Sequence, residues 1–222
     1  MFTEDTMPFS VMLEQLSGGM LKSVGIFILT LLFSLPLGLL VSFGRMSKNK
    51  IVSTIIKIYI SIMRGTPLML QLLVVYFGPF YLFGMNIGGS YRFIAIAIGF
   101  SLNYAAYYAE IYRSGIESMP IGQYEAAKML GYSKGQTFIK IILPQVIKRI
   151  LPSITNEVIT LVKDTSLAFA LAYSEMFSIA KQIAASNTTF VPFVVAACFY
   201  YVFNLIVALV MERIENKLNY YR

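Results

Sequence analysis

The sequence has no histidine, one cysteine and few charges. Without histidine there is no imidazole to relay protons, ligate a metal or serve a Ser-His-Asp site. The single cysteine, Cys198, lies in an apolar run and has no partner for a disulfide within one chain. Charged residues fill only 13% of the 222 positions, where soluble domains carry about a quarter. No G-x-x-x-x-G-K-[ST] phosphate loop occurs. Nothing is spaced as a metal-ligand set or a catalytic constellation, so a membrane enzyme would have only carboxylates and hydroxyls to work with.

What is abundant is apolar sequence, 57% of the chain, in long runs. Residues 24–43, 93–109 and 191–211 carry no charge at all. A helix rises about 1.5 Å per residue, so roughly 20 residues cross the hydrocarbon core of a bilayer. The fold class is therefore an all-α integral membrane protein. Residues 1–21 hold Glu4, Asp5 and Glu14 but no Lys or Arg, unlike the basic start of a cleaved signal peptide. Five spans are predicted, at about 20–44, 51–83, 91–114, 149–172 and 190–212. The second is interrupted by Arg64-Gly65-Thr66-Pro67 and by Gly78-Pro79. With no internal repeat and no low-complexity linker, residues 1–222 read as one domain.

The net charge of +7 matters less than its distribution, and it does not call for nucleic acid. An N-terminus outside places Arg45, Lys48, Lys50 and Lys57 on the inner face, then Arg113, Lys128, Lys134, Lys140, Lys148 and Arg149, then Arg213, Lys217 and Arg222. The outer face keeps Lys22, Arg92 and Lys181, while Arg64 and Lys163 fall within spans. The positive-inside rule then selects N-terminus out, C-terminus in.

The largest inner segment is 115–148. Ser118 is a candidate cap and Pro120 suits a first turn, while Gly131 is placed to end the helix. Ser133 with Gln136 fits a capping box for a second helix ending near Leu143-Pro144. Spacing alone leaves open whether this loop is a connector on the membrane surface or a surface gripped by a partner.

Glu125-Ala126-Ala127, then Gly131, then Ile141, Leu143 and Pro144 reproduce the EAA motif of ABC import permeases. Arg64-Gly65-Thr66-Pro67-Leu68 with Gln71-Leu72 and Tyr76-Phe77 resembles the second-span signature of the polar amino acid branch. Tyr107-Tyr108-Ala109-Glu110-Ile111, Gly122-Gln123, Leu143-Pro144-Gln145, Asn156-Glu157 and Lys163-Asp164-Thr165-Ser166-Leu167 continue it, over about residues 20–212. The chain departs from that branch at Tyr104-Ala105-Ala106 and at Ala168-Phe169-Ala170. The resemblance implies a type I importer permease of a bacterial inner or plasma membrane. It implies a second permease chain, identical or not, a cytoplasmic ABC ATPase dimer seating the EAA helices, and an extracellular substrate-binding protein. It further implies that no cofactor is held by this chain, ATP-Mg belonging to the ATPase. A polar amino acid is the expected cargo. An opine-like zwitterion or amine is the alternative on the same architecture, and a passive channel would leave the EAA loop unexplained.

Ionisable groups inside the spans require a partner or water, because insertion costs roughly 2.5–3.5 kcal/mol each. Glu157, Thr160 and Asp164 fall along one helical face. Two readings stand: a Lys163–carboxylate pair joining helices, or a polar lining in which Glu157 or Asp164 meets a substrate amino group. Thr165 and Ser166 are candidates to assist. Asn103, in the middle of the third span, bonds a neighbouring helix or contacts substrate. Arg64 marks a helix break, where it gates, pairs with Glu110 or Glu117, or caps the break. Tyr104, Tyr107, Tyr108 and Tyr112 are expected in helix packing or an interface belt rather than in an aromatic cage.

Overall fold

In α1 (Phe9–Arg45), residues of small volume line up about four apart on the buried side: Gly19, Ser23, Thr30, Ser34, Gly38 and Ser42. The other side shows Leu21, Ile28, Leu32 and Leu40. In a bilayer, apolar side chains gain little by leaving lipid for protein, so close backbone approach between small residues organises the helices. Gly38 shows how close that approach is. A Cβ there would stand 2.8 Å from Cβ of Tyr108 and 3.0 Å from the carbonyl of Ala105.

The computed structural model describes residues 7–218; Glu4, Asp5 and Arg222 lie outside them. After α1 come α2 (Lys50–Gly65), α3 (Leu68–Phe83), α4 (Gly89–Glu117), α5 (Ile121–Met129) and α6 (Lys134–Thr137). A π-helical turn (Phe138–Ile142) leads into α7 (Leu143–Asp164), a 3-10 segment (Thr165–Leu171), α8 (Met176–Ser186) and α9 (Val191–Leu218). No strand occurs among the described residues. By length and composition α1 and α9 each suffice to cross a membrane, and α2 with α3 passes as a pair bent by 113°.

α4 is the central helix. Ile96, Phe100, Tyr104 and Tyr108 on it are buried against Ile26 and Phe27 of α1, Leu72 and Tyr76 of α3, and Val158, Leu161 and Val162 of α7. Tyr104, Tyr108 and Tyr112 run along α4 with neighbouring ring centroids 6.2 and 6.5 Å apart. These tyrosines are packing groups, as the sequence reading expects. A second cluster holds Met12, Leu16 and Met20 of α1 against Met176, Ala180 and Ile183 of α8.

The helix boundaries differ from the sequence reading in instructive ways. The predicted second span is two helices. The predicted fourth span begins as the last part of a longer helix and ends in 3-10 geometry. There the Thr165 hydroxyl donates to the Val162 carbonyl and the Ser166 hydroxyl to the Lys163 carbonyl, both at 2.8 Å. Such side-chain competition for helical carbonyls tightens a terminal turn. The helix opened by Ser133 does not stop near Leu143-Pro144 either. Pro144 has no N–H to carry an α-helix forward, and the chain absorbs this with the π turn just before it and continues as α7.

Candidate functional site

The bend between α2 and α3 is built by Pro67, which cannot donate to the carbonyl of Met63 four residues earlier. Two side chains replace the missing donor. Nε2 of Gln71 donates to that carbonyl at 2.9 Å and Nδ2 of Asn103 at 3.1 Å. Nδ2 of Asn103 also donates to Oε1 of Gln71 at 2.9 Å, and Nε2 of Gln71 reaches the Thr66 hydroxyl at 2.8 Å. Asn103 on α4 thereby holds a neighbouring helix break, and its amide donor is occupied within the chain.

Arg64, freed from capping duty, extends over the Tyr107 ring, 5.3 Å from its centroid. It does not pair with Glu110 or Glu117. Both carboxylates belong to Arg113, at 2.6 and 2.5 Å. Arg64, Tyr107, Glu110, Ile111, Ser114 and Glu157 line an open cleft of about 250 Å³ between α2, α4 and α7. Glu157 is half-buried and has neither a hydrogen bond nor an ion pair among the described residues. Two turns further along α7, about 10 Å by helical rise, Oδ2 of Asp164 accepts a 2.7 Å bond from the Tyr104 hydroxyl.

The other sequence candidates lie elsewhere. Thr165 is fully buried. Ser166 and Lys163 line a separate cleft with Phe177, Phe193 and Tyr200, of about 340 Å³. Lys163 makes no ion pair with either carboxylate among the described residues. Glu157 and Asp164 therefore share the face predicted for them, while Lys163 and Ser166 look into another space.

The inner loop is organised by local rules. Pro120, not Ser118, precedes α5; the Ser118 hydroxyl instead closes α4 by donating to the Gly115 carbonyl at 2.7 Å. Gly131 has φ +80°. The amide of Tyr132 donates to the Ala127 carbonyl and that of Gly131 to the Lys128 carbonyl, both at 3.0 Å. This is a Schellman ending, and it requires a left-handed residue where Gly131 stands. The predicted capping box is formed: the Gln136 amide donates to the Ser133 hydroxyl at 3.3 Å, and Oε1 of Gln136 accepts from the Ser133 amide at 2.9 Å. Ala127 is buried, whereas Glu125 and Ala126 are exposed, with Ile121, Met129 and Leu130 each at least 74% exposed. Ile141 and Leu143 are half-buried, and Pro144 is exposed.

One polar centre escaped the sequence reading. Glu175 is completely buried and caps α8, accepting from the amides of Phe177 and Ser178 at 2.7 Å. The hydroxyls of Ser23 on α1 and Tyr200 on α9 also donate to it, at 3.4 and 3.1 Å. Glu is not among the usual N-cap residues, so the sequence carries no strong local signal for this helix start.

Comparison with known proteins agrees with this architecture. The L-cystine transport system permease protein TcyB of Bacillus subtilis is 36% identical over 208 residues, 93% of this chain and 87% of that protein. The arginine transport system permease protein ArtQ of the same organism is 36% identical over 201 residues, 90% of each. A solved amino acid ABC transporter superposes with a TM-score of 0.85 at 30% identity, covering 97% of this chain and 99% of that one. The family model for the binding-protein-dependent transport system inner membrane component matches residues 34–220. This chain belongs to that family.

Proposed function

We propose that the chain is the membrane-spanning permease subunit of an ATP-driven importer for polar amino acids. In this reading five spans cross a bacterial inner membrane with the N-terminus outside, and α2 with α3 forms one broken span. α5 is the docking helix for a cytoplasmic ABC ATPase that supplies ATP-Mg. A second permease chain completes the pathway and an extracellular binding protein delivers the cargo.

The observation that carries the cargo assignment is the cleft at Arg64 and Glu157. A guanidinium held over the Tyr107 ring faces a carboxylate that has no hydrogen bond or ion pair among the described residues, with Asp164 beyond it. An α-amino acid presents the complementary pair of charges, its carboxylate for Arg64 and its amino group for Glu157. A cationic side chain would extend toward Asp164. Relatives named for cystine and arginine support a zwitterionic cargo.

The test is uptake kinetics of Glu157→Gln and Asp164→Asn in proteoliposomes. A hydrogen bond to a charged group contributes about 1.5–3 kcal/mol, so Glu157→Gln raises KM by about tenfold or more. Asp164→Asn affects cationic amino acids more than neutral ones. Unchanged kinetics in both variants, with the ATPase still bound, would remove this cleft from the pathway.

A further inference from the structure

The docking helix and the helix that bears the cleft carboxylates are joined by one directional contact. Nε2 of Gln123 on α5 donates to Oε1 of Gln145 on α7 at 2.9 Å, and Nε2 of Gln145 donates back to Oε1 of Gln123 at 2.9 Å. The second N–H of Gln145 goes to the Ile141 carbonyl at 2.7 Å, inside the π turn. Both amides are part-buried, and these are the only side-chain hydrogen bonds between α5 and α7 among the described residues. Two antiparallel amide bonds fix distance and orientation together, which a single bond or an apolar contact does not. Beside the pair in sequence, Tyr124 of α5 packs on the cluster of Met119, Ile142, Val146 and Ile150, an apolar contact that accompanies the amide bonds.

From Gln145, α7 runs to Asp164 as one helix, with Pro152 inside it, which removes one helical hydrogen bond without ending the helix. Glu157 lies about 18 Å and Asp164 about 28 Å along it by helical rise. A continuous helix clasped at its base carries a displacement of that base toward its far end. We propose that the Gln123–Gln145 amide pair is the clasp that converts movement of the docking helix into movement of the Glu157–Asp164 face. Gln123 and Gln145 are thus positioning residues for the transport cycle. The inference rests on the reading of α5 as the ATPase dock.

The test uses the full chain with its ATPase in proteoliposomes, with Cys198→Ser removing the natural thiol and Thr160→Cys, at an exposed position of α7, as reporter. The rate of labelling by a membrane-impermeant maleimide is read without nucleotide and with ATP and vanadate, so no cargo need be known. With both glutamines present, ATP changes the rate severalfold. Gln145→Leu abolishes that change while the ATPase remains bound. The paired variant Gln123→Lys with Gln145→Glu, which replaces the amides by an ion pair, restores it. The like-charged pair Gln123→Glu with Gln145→Glu does not. An ATP-dependent change that persists undiminished in Gln145→Leu would overturn the clasp. Absence of a bound ATPase even with both glutamines present would overturn the docking reading, and the clasp with it.

Discussion

Gly131 allows a graded prediction, because its substitution isolates backbone geometry from packing. It stands at φ +80° after α5, and a Cβ added to it would meet nothing within 4 Å. Any cost of a side chain is therefore the left-handed conformation itself. For an ordinary L-residue that cost is about 1–2 kcal/mol, which is roughly a 5- to 30-fold change in the population of the correctly ended helix. Asn tolerates the conformation best among non-glycine residues, so Gly131→Asn retains most function. Gly131→Asp has a similar shape but adds a negative charge at a helix C-terminus, costing about 0.3–1 kcal/mol more. Gly131→Val is the most strained. The assay is ATP-dependent uptake by proteoliposomes, with the amount of co-purified ATPase measured alongside. The expected order is Gly, then Asn, then Asp and Ala, then Val, with the permease itself present at normal level in the membrane. Transport by Gly131→Val equal to that of Gly131→Asn would refute the argument that a left-handed helix ending presents the dock.

Three further perturbations probe the rest of the fold, each read by thermal unfolding in detergent. Asn103→Leu withdraws a donor from the Met63 carbonyl and lowers stability by about 1–3 kcal/mol. Combined with Gln71→Leu the cost departs from the separate effects added, because both amides donate to one carbonyl and bond each other; strict additivity would contradict the shared cap. Glu175→Ala exposes the amides of Phe177 and Ser178 and costs at least about 1 kcal/mol, with Glu175→Gln milder; an Ala variant as stable as the parent would show that the cap is dispensable. Gly38→Leu overpacks the α1–α4 contact by about 1–3 kcal/mol, whereas Gly25→Leu, with open space around its position, is tolerated; equal stabilities would show that the close contact at Gly38 yields without cost.

How much of this was legible in the sequence depends on how local each determinant is. The capping box at Ser133 and Gln136 and the stop at Gly131 are written within a few residues, and the structure reproduces both. Arg64-Gly65-Thr66-Pro67 announces a break, but its repair by Gln71 and Asn103 depends on α4 lying beside it, 32 and 40 residues away in sequence from the groups it serves. Glu157 and Asp164 share a face by helical period alone. The separation of Lys163 from them follows from where α8 and α9 pack, which no window of sequence reveals. α8 was missed because it is only 11 residues long and its cap, Glu175, is defined by partners on α1 and α9. The stripe of small residues on α1 was visible in the sequence, but it reads as mere composition until α4 is known to lie against it. The Gln123–Gln145 pair is of the same kind, since two glutamines 22 residues apart become one contact only through the turn at Gly131 and the π turn before Pro144.

The most direct measurement is uptake of labelled amino acids into proteoliposomes holding this chain with its co-purified ATPase and binding protein, with and without ATP. The panel spans basic, acidic, amide and sulfur-containing types, with an opine as the competing zwitterion. The account predicts ATP-dependent uptake of an amino acid class that is lost in Glu157→Gln. Uptake of the opine alone, or failure of every amino acid while the ATPase remains firmly bound, would contradict it.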